Sequence, residues 1–223
     1  MNETITIVTG LPRSGTSMMM KMLEAGGMDV VTDNLRKADE DNPKGYYEFE
    51  KVKRIREDVS WLDEVQGKAV KMVSMLLFDL PLQRNYKLIF MRRDLGEVLA
   101  SQRKMLERKN DLRDYSDEEM EVLLQKHLNK IERWIEQQES IRVLYLNYRD
   151  LIEDPRSGAY RLRVFLDTAL NIDAMVQVVD QSLYRRRGTK RSAIGAVRGI
   201  SEATEAEHER ETIEEQLKSL GYM

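Results

Sequence analysis

Gly10-Leu11-Pro12-Arg13-Ser14-Gly15-Thr16-Ser17 follows directly on the apolar run Ile5-Thr6-Ile7-Val8 and leads into a helical pattern. A strand, a glycine-bounded turn and a helix N-terminus make a cradle for an anion, because backbone N–H groups and the positive end of the helix dipole converge there. The layout is that of the phosphate loop G-x-x-x-x-G-K-[ST], but Thr16 stands where nucleoside triphosphatases keep the Lys that grips the β- and γ-phosphates. Arg13 supplies a cation inside the loop instead, which points to a different phosphoanion. A second basic element, Lys87-Leu88-Ile89-Phe90-Met91-Arg92-Arg93-Asp94, brings a guanidinium to the end of a buried strand, and Ser101 lies on the helix that follows. The bland alternative is that Arg92 and Arg93 are a solvated pair. Apart from Asp94, which follows the arginines, no strand ends in an acid suited to magnesium.

These residues need a sheet to position them. Residues 4–9, 69–73, 88–91 and 141–146 read as buried strands, with a weaker one at Val30-Val31. Near-continuous hydrophobicity, rather than alternation, suits parallel strands covered on both faces. Helical patterns separate them: one after the glycine loop, stopping at Gly26-Gly27; one from about 47 to 61; and one N-capped by Asp94. The longest runs from about 117 to 138, where Ser116 and Glu119 have the spacing of a capping box. Residues 110–115 read as a surface loop, Asp154-Pro155 opens a further helix, and 201–220 is an acidic amphipathic helix. This alternation predicts one domain over 1–223: a three-layer α/β fold with a P-loop-NTPase-like parallel sheet flanked by helices, and ligands at the C-terminal ends of the strands.

Composition narrows the chemistry. The 223 residues hold no Cys, which excludes disulfides and Cys-ligated metals, and only two His, which makes zinc a poor expectation. Charge is abundant but mixed, with a net value of −3, so neither a nucleic-acid partner nor a membrane partner is expected. A strand begins within a few residues of the N-terminus, and no run approaches the roughly 18 apolar residues of a membrane span. Both features predict a cytoplasmic protein. His127, inside Leu123-Leu124-Gln125-Lys126-His127-Leu128, reads as packed or on a helix surface rather than as a base.

In combination these features resemble the sulfotransferases that use 3′-phosphoadenosine 5′-phosphosulfate (PAPS), in particular the short bacterial-type members. Pro12-Arg13-Ser14-Gly15-Thr16-Ser17 is similar to that family's 5′-phosphosulfate loop, P-[KR]-[SA]-G-T-[ST]. Arg93 with Ser101 reproduces the Arg-x7-Ser spacing of its 3′-phosphate site, which Arg92 misses by one. The stretch ending Tyr148-Arg149-Asp150 resembles the Tyr-Glu-Asp segment bordering the adenine, with Arg149 in place of the Glu. Ser182-Leu183-Tyr184 and then Arg185-Arg186-Arg187-Gly188 resemble the adenine-contacting turn and the basic loop that closes over the 3′-phosphate. The likeness runs in consistent order over roughly residues 4–190.

The same resemblance implies the catalytic groups. Cytosolic members carry Lys-Thr-His after the third strand; here Val70-Lys71-Met72-Val73-Ser74 keeps Lys71 and lacks the His. Asn42-Pro43-Lys44-Gly45-Tyr46-Tyr47-Glu48 resembles an acceptor-facing segment, which makes Glu48 the first candidate base and Asp33 the second. A Lys on a buried strand also needs an anionic partner. The implied reaction moves a sulfuryl group from PAPS to a hydroxyl or amine of a small-molecule, glycan or peptide acceptor, leaving adenosine 3′,5′-bisphosphate (PAP), with no metal. Arg13 and the amides of Ser14, Gly15, Thr16 and Ser17 would hold the phosphosulfate, and Lys71 would polarise the transferred group. Two other classes stay open: a kinase-like phosphotransferase on the same loop, and a non-catalytic nucleotide-binding protein.

Overall fold

The computed structural model describes residues 4–33, 35, 45–111, 116–180 and 202–223. Five strands, β1 (Ile5–Gly10), β2 (Val30–Val31), β3 (Ala69–Lys71), β4 (Tyr86–Arg92) and β5 (Ile141–Asn147), form one parallel sheet in the order β2-β3-β1-β4-β5. The period-2 geometry of a strand sends alternate side chains to opposite faces, which explains why the central strands are apolar at most positions of both parities. Ile5 and Ile7 of β1, Val70 of β3 and Leu88 and Phe90 of β4 enter one core, while Val8, Ala69, Ile89 and Met91 enter the other.

Helices cover both faces. On one side lie α1 (Thr16–Ala25), α4 (Tyr148–Glu153), α5 (Pro155–Leu166) and α6 (Ile172–Val178), contributing Met19, Leu23, Leu151, Leu162 and Met175. On the other lie α2 (Leu95–Arg108), α3 (Asp117–Glu136) and α7 (Glu202–Leu220), contributing Val98, Met105, Leu124, Ile131, Ile213 and Leu217. Because α1 leaves β1 toward one face and α2 leaves β4 toward the other, a crevice opens at the carboxyl ends of these adjacent strands, the switch point where such folds bind ligands.

Local chemistry sets several boundaries. The Asp94 carboxylate accepts the Glu97 N–H to start α2, and Ser116 with Glu119 forms a complete capping box at α3. The expected helix over 47–61 is replaced by two short 3₁₀ segments, Glu50–Arg54 and Ser60–Asp63. The Asp58 side chain accepts the Ser60 N–H at 2.8 Å, a local bond that competes with helix continuation. The strand expected over 69–73 ends at Lys71 and turns into a 3₁₀ segment, Ser74–Asp79. Among the described residues no helix is long and apolar enough to cross a membrane.

Candidate phosphoanion site

The loop between β1 and α1 is built for close approach. Gly10 has φ +146°, and a Cβ there would stand 2.6 Å from the Met91 carbonyl oxygen. Gly15 has φ +102°, and its Cβ would stand 2.4 Å from a Tyr148 ring carbon, so neither position admits a side chain. Between them Arg13 holds a left-handed φ of 74°, a conformation costing on the order of 1–3 kcal/mol that surrounding contacts must enforce. No side chain caps α1, which leaves the amides of its first turn for an external acceptor. The Ser14 hydroxyl is buried in this loop and has no hydrogen-bond partner among the described residues. Ser17 turns its hydroxyl away, donating to the Tyr46 carbonyl at 3.1 Å, and Thr16 is half-buried at the helix start.

The two adjacent arginines part company. Arg92 is exposed, ion-paired with Glu132 at 2.6 Å and stacked 3.9 Å from the Tyr145 ring centroid. Arg93 turns inward: its guanidinium donates to the Arg13 carbonyl at 2.9 Å, pairs with the buried Glu97 at 3.0 Å and lies 4.4 Å over the Tyr148 ring. Arg13 in turn donates from Nε to the Ser101 hydroxyl at 3.0 Å. The fold therefore brings Arg13, Ser14, Arg93, Ser101 and Tyr148 together from the loop, the end of β4, α2 and α4. Beside them opens a cavity of about 390 Å³ lined by Ser14, Met91, Arg92, Arg93, Asp94 and Glu132, among others. Tyr184, Arg185, Arg186 and Arg187 lie outside the described residues.

A second cluster adjoins the loop at the end of β3. Lys71, almost fully buried, donates to the Tyr46 carbonyl and lies 3.6 Å from the buried Glu48 carboxylate. Tyr46 thus links Lys71 to Ser17 through one carbonyl oxygen. The Tyr222 ring faces the Lys71 ammonium at 5.7 Å. The Glu48 carbonyl accepts the Thr32 hydroxyl and the Asp33 N–H, each at 3.1 Å, which fixes this segment beside β2. Tyr47 sits at φ 53° and gives its hydroxyl to Glu24 at 2.5 Å; burial, and then that anion, push its pKa up. Asp33 is engaged elsewhere: its carboxylate accepts the amides of Leu35 at 3.0 Å and Glu50 at 2.6 Å, tying off the 3₁₀ turn that follows Glu48.

His127 is buried on α3 with Nε2 2.8 Å from the Ser74 hydroxyl, and burial lowers its pKa to about 4. Three further residues shape the site: Glu97 against Arg93, Gln102, which donates to the Pro12 carbonyl at 3.0 Å, and Tyr222 beside Lys71. Glu97 had a signal, four positions from Arg93 on the opening turn of a helix. Gln102 and Tyr222 had none, since their partners are distant in sequence.

A family model described as a sulfotransferase domain matches residues 3–192. Among solved structures, the sulfotransferase domain from the Synechococcus PCC 7002 olefin synthase is similar at 14% identity, over 95% of this chain and 94% of that one, with a TM-score of 0.45. No curated protein matches the sequence.

Proposed function

The chain belongs to the sulfotransferase family, and from that premise we propose that it moves a sulfuryl group from PAPS to a hydroxyl or amine acceptor. The observation that carries the donor assignment is the divergence of Arg92 and Arg93: one pairs with a surface acid, the other is aimed at the loop and braced by Glu97 and Tyr148. A braced guanidinium beside a lysine-free phosphate loop suits a nucleotide with a second phosphate on the ribose better than a triphosphate. The buried Ser14 hydroxyl, which lacks a partner among the described residues, adds a donor to the same cradle.

In this reading the amides of Gly15, Thr16 and Ser17 hold the 5′-phosphosulfate, whereas the expected Ser14 amide is already donated to the Leu11 carbonyl at 3.1 Å and only its hydroxyl is left to contribute; Arg13 offsets charge as it builds on the leaving phosphate oxygen. Arg93 and Ser101 receive the 3′-phosphate, Tyr148 backs both arginine and loop, and Arg185–Arg187 with Tyr184 complete the nucleotide site. Lys71 stabilises the sulfuryl oxygens, and Glu48, in contact with Lys71, takes the acceptor proton as the new S–O or S–N bond forms and the bond to the phosphate oxygen breaks. Asp33, with two backbone amides on its carboxylate, holds the Glu48 segment in place rather than acting as base. Positioning and fixed charge carry such a transfer. Calorimetric titration tests the reading: PAP should bind without metal and far more tightly than ATP with Mg²⁺, and the reverse order would overturn it.

A further inference from the structure

Helix α7 lies beyond the residues that the family model matches, yet it reaches the site by two routes. The Gln216 amide donates to Gln102 Oε1 at 2.6 Å, and Gln102, buried on α2, donates to the Pro12 carbonyl at 3.0 Å. That relay ends on the backbone of the phosphate loop, one residue before Arg13. The second route follows the turn after α7. Gly221, at φ +85°, reverses the chain, and the Tyr222 N–H closes back on the Leu217 carbonyl at 2.8 Å, which sets the buried Tyr222 ring against the Lys71 ammonium.

The turn is anchored from the side of both functional segments. Lys53, in the 3₁₀ turn after Glu48, donates to the Gly221 carbonyl at 3.2 Å, and Lys109, just past α2, donates to the Ser219 carbonyl at 2.9 Å. Between helix and loop remains a void of only about 10 Å³, bordered by Leu11, Pro12, Gln102, Gln216 and Leu217, so the contact has little slack.

We propose that the C-terminal turn of α7 is a positioning element of the transfer site, with Gln216 holding the phosphate loop through Gln102 and the Tyr222 ring holding Lys71. It rests on the sulfotransfer reading for its consequence, but its physical content can be tested on the unliganded full chain. Without Gln216 the Gln102 amide loses its orienting partner and the Pro12 carbonyl its fixed donor.

Hydrogen exchange of the unliganded protein is the deciding measurement. Gln216→Leu should speed exchange of the amides of Leu11 and residues 13–17 by about tenfold, while β4 (86–92) and the exposed-face control Glu215→Gln stay unchanged. Unaltered loop exchange, or an equal rise in β4, would overturn the relay. For the second route, the rate at which acetic anhydride acylates Lys71, read by peptide mass spectrometry, should rise several-fold in Tyr222→Leu and return to the unmodified value in Tyr222→Phe, which keeps the ring. Equal rates in all three proteins would remove Tyr222 from the proposal. PAP calorimetry separates this from the parent reading. A native chain that binds no PAP defeats the donor assignment, whereas a Gln216→Leu chain that binds as the native one does defeats the relay.

Discussion

Arg13 and Ser101, 88 positions apart, are joined by a 3.0 Å hydrogen bond from the guanidinium to the hydroxyl, and Arg93 donates to the carbonyl of the same Arg13. The two stretches that the sequence resemblance assigns to opposite ends of a nucleotide are therefore one hydrogen-bonded unit. A ligand bridging them meets cations already held at fixed separation, which lowers the ordering cost of binding.

Arg93→Ala should weaken PAP binding by about 2–4 kcal/mol, as expected when one side of a buried charged contact is removed, and should weaken AMP far less. Calorimetry with both ligands measures the difference. Adding Glu97→Gln, which neutralises the acid paired with Arg93, should recover thermal stability without recovering the 3′-phosphate preference. Equal losses for PAP and AMP would make Arg93 a support of the loop alone.

Thr16→Lys restores the residue found in nucleotide triphosphatases, yet it should not create Mg²⁺-dependent ATP hydrolysis. The nearest acid after β4, Asp94, is engaged in capping α2. PAP affinity should fall, because a longer side chain crowds the helix start. Phosphate release assays on both proteins check this, and robust ATPase activity in the unmodified chain would contradict the assignment.

Glu48→Gln should cut turnover by about 10²–10⁴-fold, the usual contribution of a general base, and leave PAP affinity nearly unchanged. Asp33→Asn should act differently: facing two backbone amides with a carboxamide costs roughly 1–3 kcal/mol of stability and changes turnover little. Steady-state kinetics beside urea unfolding distinguishes the two. If turnover vanishes with Asp33→Asn and survives Glu48→Gln, the roles are reversed.

His127 gives the fold an acid limit. Its folded-state pKa of about 4 lies below its ordinary value of 6.5, so protonation favours the unfolded chain. The stability it protects is complete above pH 6.5 and is lost as pH falls toward and through 4, amounting to roughly 3 kcal/mol by pH 4. Urea unfolding at pH 7 and pH 4 should therefore show a steeper decline for the native chain than for His127→Gln, and parallel declines would exclude the residue.

What was legible in the sequence was local or periodic. The central strands β1, β3 and β4 were visible because burial on both faces leaves little polar alternation, and the caps at Asp94 and Ser116 because their partners lie three residues on. The split of 47–61 into two short turns was not, because it depends on Asp33 reaching across to the Glu50 amide as well as on Asp58 bonding locally. At the site, the loop and the Arg93–Ser101 spacing could be read, but spacing could not reveal that Arg13 would occupy the Ser101 hydroxyl. The roles of Gln102 and Tyr222 depend wholly on tertiary neighbours, 90 positions away for Gln102 and Pro12, and carry no local signature.

The Tyr148 ring lies under both the Gly15 backbone and the Arg93 guanidinium. Substitutions at these three positions are therefore not independent. A side chain at position 15 becomes sterically conceivable only if the ring shrinks, and shrinking the ring takes away the surface on which the arginine rests. Drift at any one of them is confined by the other two, so a library varying residues 15, 93 and 148 together should recover functional combinations that single-site scanning never meets, with non-additive effects concentrated in the Gly15–Tyr148 pair.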